Sequence, residues 1–133
     1  MLSIVTIQKI PYTFNMDEEN RQHTRYEEIG RVLAPELCAL PGVLDDISVS
    51  GCKVHYSFPI TVDLENEYDI KLSPLHHGEQ SPLNLICHPQ WVQELEGNTY
   101  IGLKILYSPD ANRLKDFIQQ LANLSKDQLP DII

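Results

Sequence analysis

Hydrophobic and other residues alternate most regularly late in the chain, where Ile101, Leu103, Ile105 and Tyr107 interleave with Tyr100, Gly102, Lys104 and Leu106. A period of two sends successive side chains to opposite faces of an extended backbone, so a strand is predicted from Tyr100 to Tyr107. The period then changes: Leu114, Phe117, Ile118, Leu121 and Leu124 recur at three and four, the spacing of one helical face. Ser108 can accept an amide hydrogen of the first turn, Pro109 has no amide to leave unpaired, and Asp110 places negative charge at the helix's positive end. A helix beginning near Pro109 follows, with 126–133 as a loosely held tail.

The central third also alternates. Val54, Tyr56 and Phe58, and then Tyr68, Ile70 and Leu72, predict half-buried strands of an antiparallel sheet. Shorter strands are expected from Ile47 to Val49, from Ile60 to Leu64 and from Leu83 to Cys87, with turns at Ser50-Gly51 and Pro59. Ser73 to Pro82, containing His76-His77-Gly78, reads as a polar loop. Pro89 to Leu95 reads as a helical turn carrying Trp91, ending at Glu96-Gly97-Asn98.

Near the N-terminus, Leu2 to Ile10 is apolar and rich in β-branched residues, as a strand buried on both faces would be, and Pro11 ends it. Asn15 with Glu18 three residues later forms a capping-box-like helix start. On that helix Tyr26, Ile29, Val32 and Leu33 share one side, Glu27 and Arg31 pair at i,i+4, and Pro35 brings it to a stop. A second short turn through Leu37 and Leu40 closes at Pro41-Gly42. These elements predict one α+β domain over 1–133, a single antiparallel sheet of about five or six strands carrying two main helices on one face. A ferredoxin-like arrangement satisfies that order.

Composition narrows the functional classes. Hydrophobic content of 42% and charged content of 22% are globular values, so one core is expected for 133 residues. The net charge of -9, from 10 Lys and Arg against 19 Asp and Glu, argues against a nucleic-acid backbone or an anionic membrane as main partner, because both reward basic patches. The first residues lack the pattern of a secretory signal, and no apolar run approaches the roughly 20 residues of a membrane-spanning helix. Cys38, Cys52 and Cys87 are too few and too uneven for a disulfide framework. The cytoplasm is the compartment this implies.

The acids are unevenly spread. From Glu36 to Glu96 ten carboxylates face two bases, Lys53 and Lys71. Within that section Asp63, Glu65, Glu67 and Asp69 recur at every second residue, which in an extended segment puts all four on one side. Such a row creates a field that attracts a positive partner. It is not an EF-hand loop: counted from Asp63, the sixth and twelfth positions hold Tyr68 and Pro74 where glycine and glutamate are needed.

Catalytic signatures are sparse. Cys52, His55, Cys87 and His88 supply the donor types of a Cys2His2 zinc site, but residues three apart or adjacent on a strand point to opposite faces. His55-Tyr56-Ser57 is a single His-x-Ser with no second copy, and Asp45-Asp46 sit where turn residues are expected. No nucleophile elbow, phosphate loop or dinucleotide fingerprint occurs. The expectation is a non-enzymatic binding protein of inhibitor, adaptor or chaperone type, without a cofactor, docking a basic protein through Asp63, Glu65, Glu67 and Asp69. Its rival is a small zinc-assisted enzyme using the Cys52, His55, Cys87 and His88 cluster. Self-association through the Tyr100 to Tyr107 strand is expected if that strand lies at a sheet edge.

Overall fold

The computed structural model describes residues 23–128. Six antiparallel strands wind into a closed barrel: β1 (Tyr26–Ala34), β2 (Cys38–Ile47), β3 (Gly51–Tyr56), β4 (Tyr68–Pro74), β5 (Leu83–Leu95) and β6 (Asn98–Tyr107). Around the wall they run β1-β2-β3-β6-β5-β4, and β1 closes the ring on β4 with Gly30 opposite Pro74 and Val32 opposite Leu72. A 3-10 turn (Leu75–His77) follows β4. One helix, α1 (Ala111–Gln128), follows β6. Among the described residues no helix is long and apolar enough to cross a membrane.

Strand alternation fills the barrel. Cys52, Val54 and Tyr56 on β3, Tyr68, Ile70 and Leu72 on β4, Leu83, Leu85 and Cys87 on β5, and Ile101 and Leu103 on β6 are all buried in one cluster. Closure satisfies the backbone of each strand on both sides, so the wall has no edge to protect. Leu114, Phe117 and Leu121 on α1 join the same cluster, which fixes the helix against the barrel. Each such apolar side chain contributes about 1.5–3 kcal/mol when taken out of water. Polar links set the helix's position: the Ser108 hydroxyl accepts the Asp110 amide at 2.9 Å and donates to the Asn84 carbonyl at 2.6 Å.

The expected α+β sheet with two helices, ferredoxin-like or otherwise, is therefore corrected to a closed barrel that carries one helix among the described residues. The decisive segment is Tyr26–Ala34, read as helix and found as β1. Glu28, Val32 and Ala34 turn inward while Ile29 is 63% exposed, so the apparent helical stripe does not exist. A buried carboxylate at Glu28 and a glycine at position 30 hid the alternation. Gly30 is needed for closure, because a Cβ there would lie 2.7 Å from the Pro74 Cα and 2.8 Å from the Ser73 carbonyl oxygen. The expected strand from Leu2 to Ile10 and the Asn15 cap lie outside the described residues.

Four further readings change. Pro41-Gly42 lies inside β2, where the missing side chain of Gly42 leaves room for the Tyr56 ring. Pro89 to Leu95 continues β5 through a register irregularity between Pro89 and Trp91, a position where a strand tolerates proline. The Trp91 indole fills the space a side chain on Gly102 would need. Residues Ile60 to Leu64 form no strand; the Ile60 amide donates to Thr99 Oγ1 at 3.1 Å, and that hydroxyl donates to the Phe58 carbonyl at 3.0 Å. Finally, β6 pairs with both β3 and β5, so the edge proposed for self-association is not there.

Candidate functional site

The acidic row lies mostly on the connection between β3 and β4. Asp63, Glu65, Glu67 and Asp69 are all exposed, and among the described residues none of them forms an ion pair. Local bonds shape the loop: Asp63 Oδ1 accepts the Glu65 amide at 2.9 Å, and the Asp63 amide donates to the Tyr68 hydroxyl at 3.2 Å. Among the described residues, nothing from elsewhere in the fold is brought to these four side chains by a hydrogen bond or ion pair.

The four candidate metal ligands divide between inside and outside. Cys52 and Cys87 are both fully buried, and the neighbouring Cys52 thiol together with burial pushes the Cys87 thiol well above its ordinary range. His55 and His88 face outward: the His55 Nδ1 sits 2.9 Å from both carboxylate oxygens of Asp45, and His88 Nδ1 lies 3.3 Å from the Gln90 amide nitrogen. Among the described residues no three His, Cys, Asp or Glu side chains gather as a metal site.

Convergence of a different kind occurs where the chain enters β1 and where β2 turns into β3. Arg25 Nη1 donates to Asp46 Oδ1 at 2.7 Å, with both side chains about three-quarters buried. Two residues on, Ser48 closes a tight turn: its amide donates to the Gly51 carbonyl at 2.8 Å, and its hydroxyl accepts the amides of Ser50 and Gly51 at 3.1 Å each. Ser48 is 1% exposed, so the turn is locked from within. The Ser50 carbonyl accepts the Ile105 amide at 2.9 Å, which ties the turn to β6, and the Ser50 hydroxyl lies 3.1 Å from His23 Nδ1.

Gly51 is where this corner depends on having no side chain. A Cβ there would sit 2.7 Å from the Leu103 carbonyl oxygen and 3.5 Å from Arg25 Nη2. The guanidinium therefore lies close over the start of β3, held in direction by Asp46. A guanidinium carries five N–H donors in a planar fork, and Asp46 engages Nη1. The remaining donors suit a phosphate or the O6/N7 edge of guanine, the groups that fork matches in geometry and charge.

These residues escaped the sequence reading, which placed Asp46 and Ser50-Gly51 only as turn residues. The usable signal was a pair of short patterns: Arg21 and Arg25 four apart, and Asp46, Ser48 and Gly51 at spacings of two and three. Neither pattern is informative alone. Arg21 lies outside the described residues.

The sequence matches no family model and no curated protein sequence. The fold does match solved structures. Bacillus subtilis inhibitor of motility (MotI/DgrA) aligns with 83% of this chain and 53% of its own at 12% identity and a TM-score of 0.71. The PilZ domain of Escherichia coli YcgR, solved with c-di-GMP, aligns with 84% of this chain and 98% of its own at 14% identity and a TM-score of 0.63. Borreliella burgdorferi PlzA in complex with c-di-GMP aligns over 93% of this chain and 60% of its own, at 12% identity and a TM-score of 0.50. This chain thus spans about half of the inhibitor of motility and nearly all of the isolated YcgR domain. The likeness is one of fold, a PilZ-like barrel.

Proposed function

We propose that this chain is a non-enzymatic binding module for a cyclic dinucleotide of the c-di-GMP type, held at the Arg25 corner. The observation that carries the reading is the Arg25–Asp46 pair set over the Ser48 to Gly51 turn. Two of the solved structures with this fold contain c-di-GMP, which gives the ligand class.

The chemistry fits the residues. A cyclic diguanylate presents two phosphodiesters and two guanines, so it offers anionic oxygens and O6/N7 edges to the same kind of donor. Arg25 supplies a pre-aimed fork, and ligand-directed bonds to it are charge-assisted. Pre-aiming by Asp46 lowers the ordering cost of binding. His23 and Ser50 add polar groups beside it at the mouth of the turn. A second phosphate or guanine calls for a second basic side chain, and the sequence carries Arg21 four residues before Arg25.

An overall charge of -9 does not oppose this reading. Screening confines surface fields to about 8 Å at physiological salt, so a dianion at the corner responds to Arg25 and its neighbours rather than to the distant acidic loop. The test is calorimetric titration of c-di-GMP into the full chain, beside Arg25→Ala and Arg21→Ala. Saturable binding that is lost in Arg25→Ala and weakened in Arg21→Ala is expected. An absence of binding at about 100 μM ligand, equivalent to about -5.5 kcal/mol, would sink the proposal.

A further inference from the structure

The chain has five histidines, and the fold commits three of them to itself. His55 Nδ1 lies 2.9 Å from Asp45 and His76 Nδ1 lies 2.8 Å from Glu28. His77 is buried between the Ser81 carbonyl and Arg113, with its ring against the edge of Phe117. His88 stands on the outside of β5, opposite Lys104. His23 differs from all four. It is exposed, and its Nδ1 meets the Ser50 hydroxyl at 3.1 Å beside Arg25.

The hydrogen bonds of the turn decide how that imidazole is held. A hydroxyl has one hydrogen to donate and two lone pairs to accept with. Ser48 Oγ accepts the amides of Ser50 and Gly51 at 3.1 Å each, which fills both lone pairs, and it donates to the Gly51 carbonyl at 3.3 Å. The Ser50 hydroxyl lies 3.3 Å from Ser48 Oγ but cannot donate to an oxygen already filled. It donates instead to His23 Nδ1, so the neutral ring carries its own hydrogen on Nε2. When the ring gains a proton the direction reverses: Nδ1–H donates to Ser50 Oγ, which has lone pairs to accept it. Ser50 thereby holds the ring in one place in both charge states. Nε2–H is left without a partner among the described residues.

We infer that His23 Nε2 donates to a phosphodiester oxygen of the ligand at the Arg25 corner, and that the ring takes up a proton as the ligand binds. The inference rests on the proposed function and adds a pH dependence to it. Histidine is the side chain that ordinarily changes charge between about pH 5 and 8. The charged groups around it are Arg25, paired with Asp46 of β2 at 2.7 Å, and Lys104 of β6, which stands opposite Gly51. Guanidinium, ammonium and carboxylate groups ordinarily keep their charge across that window. His88 is the other histidine on this side, one strand beyond Lys104.

His55 and His76 face carboxylates, so a proton on either is matched by the fold itself. A proton on His23 has no carboxylate paired with it among the described residues, and its counter-charge is the anion the ligand brings. Ligand and proton therefore favour each other. Linkage makes the effect reciprocal: affinity for the ligand rises as pH falls through the histidine range, by the same factor by which the ligand tightens the proton.

Calorimetric titration of c-di-GMP into the full chain at about pH 8, 7 and 5.5 tests this, with His23→Gln and His88→Gln beside the parent. The parent should bind about threefold to tenfold more tightly at the lowest pH than at the highest, tenfold being the limit for a shift of about one pKa unit. Near neutral pH its binding heat should depend on the ionisation enthalpy of the buffer, which reports proton uptake directly. His23→Gln should flatten the pH profile to within about twofold and remove the buffer dependence, whereas His88→Gln should keep both. A parent profile that is flat, or one that survives in His23→Gln, or one lost in His88→Gln instead, would overturn the inference while leaving the ligand reading in place. If c-di-GMP binds at none of these pH values, the ligand reading fails and the proton linkage falls with it.

Discussion

The loop at Asp63, Glu65, Glu67 and Asp69 and the corner at Arg25, Asp46, Ser48 and Gly51 each gather polar groups, by opposite routes. The loop takes four like charges from seven consecutive residues and leaves them exposed to water. The corner takes its groups from segments 21 or more residues apart and buries most of each, with Arg25 and Asp46 in direct contact. Charges that are neighbours in sequence keep their solvation and their mobility, so each contributes little to binding at a defined geometry. Groups that the fold brings together are already oriented and partly stripped of water, which makes them worth more to a ligand.

The largest effect expected from this contrast is on ligand affinity. Arg25→Ala should cost about 2–3 kcal/mol in c-di-GMP binding, roughly 30-fold to 150-fold, because it removes a charge-assisted donor. Glu65→Lys with Glu67→Lys should change the same titration by less than about threefold at physiological salt. Equal losses from the two sets would erase the distinction between the regions.

Stability separates them next. Ser48→Ala removes the acceptor of two amides in a buried turn and should lower unfolding free energy by about 1–3 kcal/mol in a urea titration. Asp110 is a second carboxylate fixed by convergence, and its effect should appear in acid. Its bond from the Asn84 amide, then that side chain and Arg113, hold its carboxyl below the usual carboxylate range. The unfolded chain therefore binds a proton there at higher pH than the folded chain does. Its contribution is complete above the unfolded pKa of about 3.9 and is lost as pH falls through the lower folded value. Asp110→Asn should flatten this part of the acid limb and cost about 1 kcal/mol at neutral pH, read from urea midpoints at several pH values. The smallest effect is expected back in the loop: Asp63→Ala, which loses one exposed bond to the Glu65 amide, should stay within about 0.5 kcal/mol.

Legibility in the sequence followed the same division. Where core residues alternate without interruption, as in Val54 and Tyr56, Tyr68, Ile70 and Leu72, or Ile101 and Leu103, strands were readable and are found. The helix carrying Leu114, Phe117 and Leu121 was readable too, though it begins at Ala111, two residues later than Pro109 suggested. Strand β1 was not readable, because its inward positions include Glu28 and its outward positions include Ile29. The carboxylate is tolerated inside because His76 gives it two donors, and that partner lies 48 residues away.

Local periodicity and capping thus determined strands β3, β4 and β6, the first part of β5, the C-terminal helix and many of the side chains that fill the barrel, because side-chain direction along a regular backbone depends only on near neighbours. Closure of β1 on β4, the burial of Glu28, the seating of Trp91 over Gly102 and the meeting of Arg25 with Asp46 were decided by tertiary structure. Each depends on contact between residues distant in sequence, where a missing side chain on one strand admits another, or a charge on one segment finds its partner on the next.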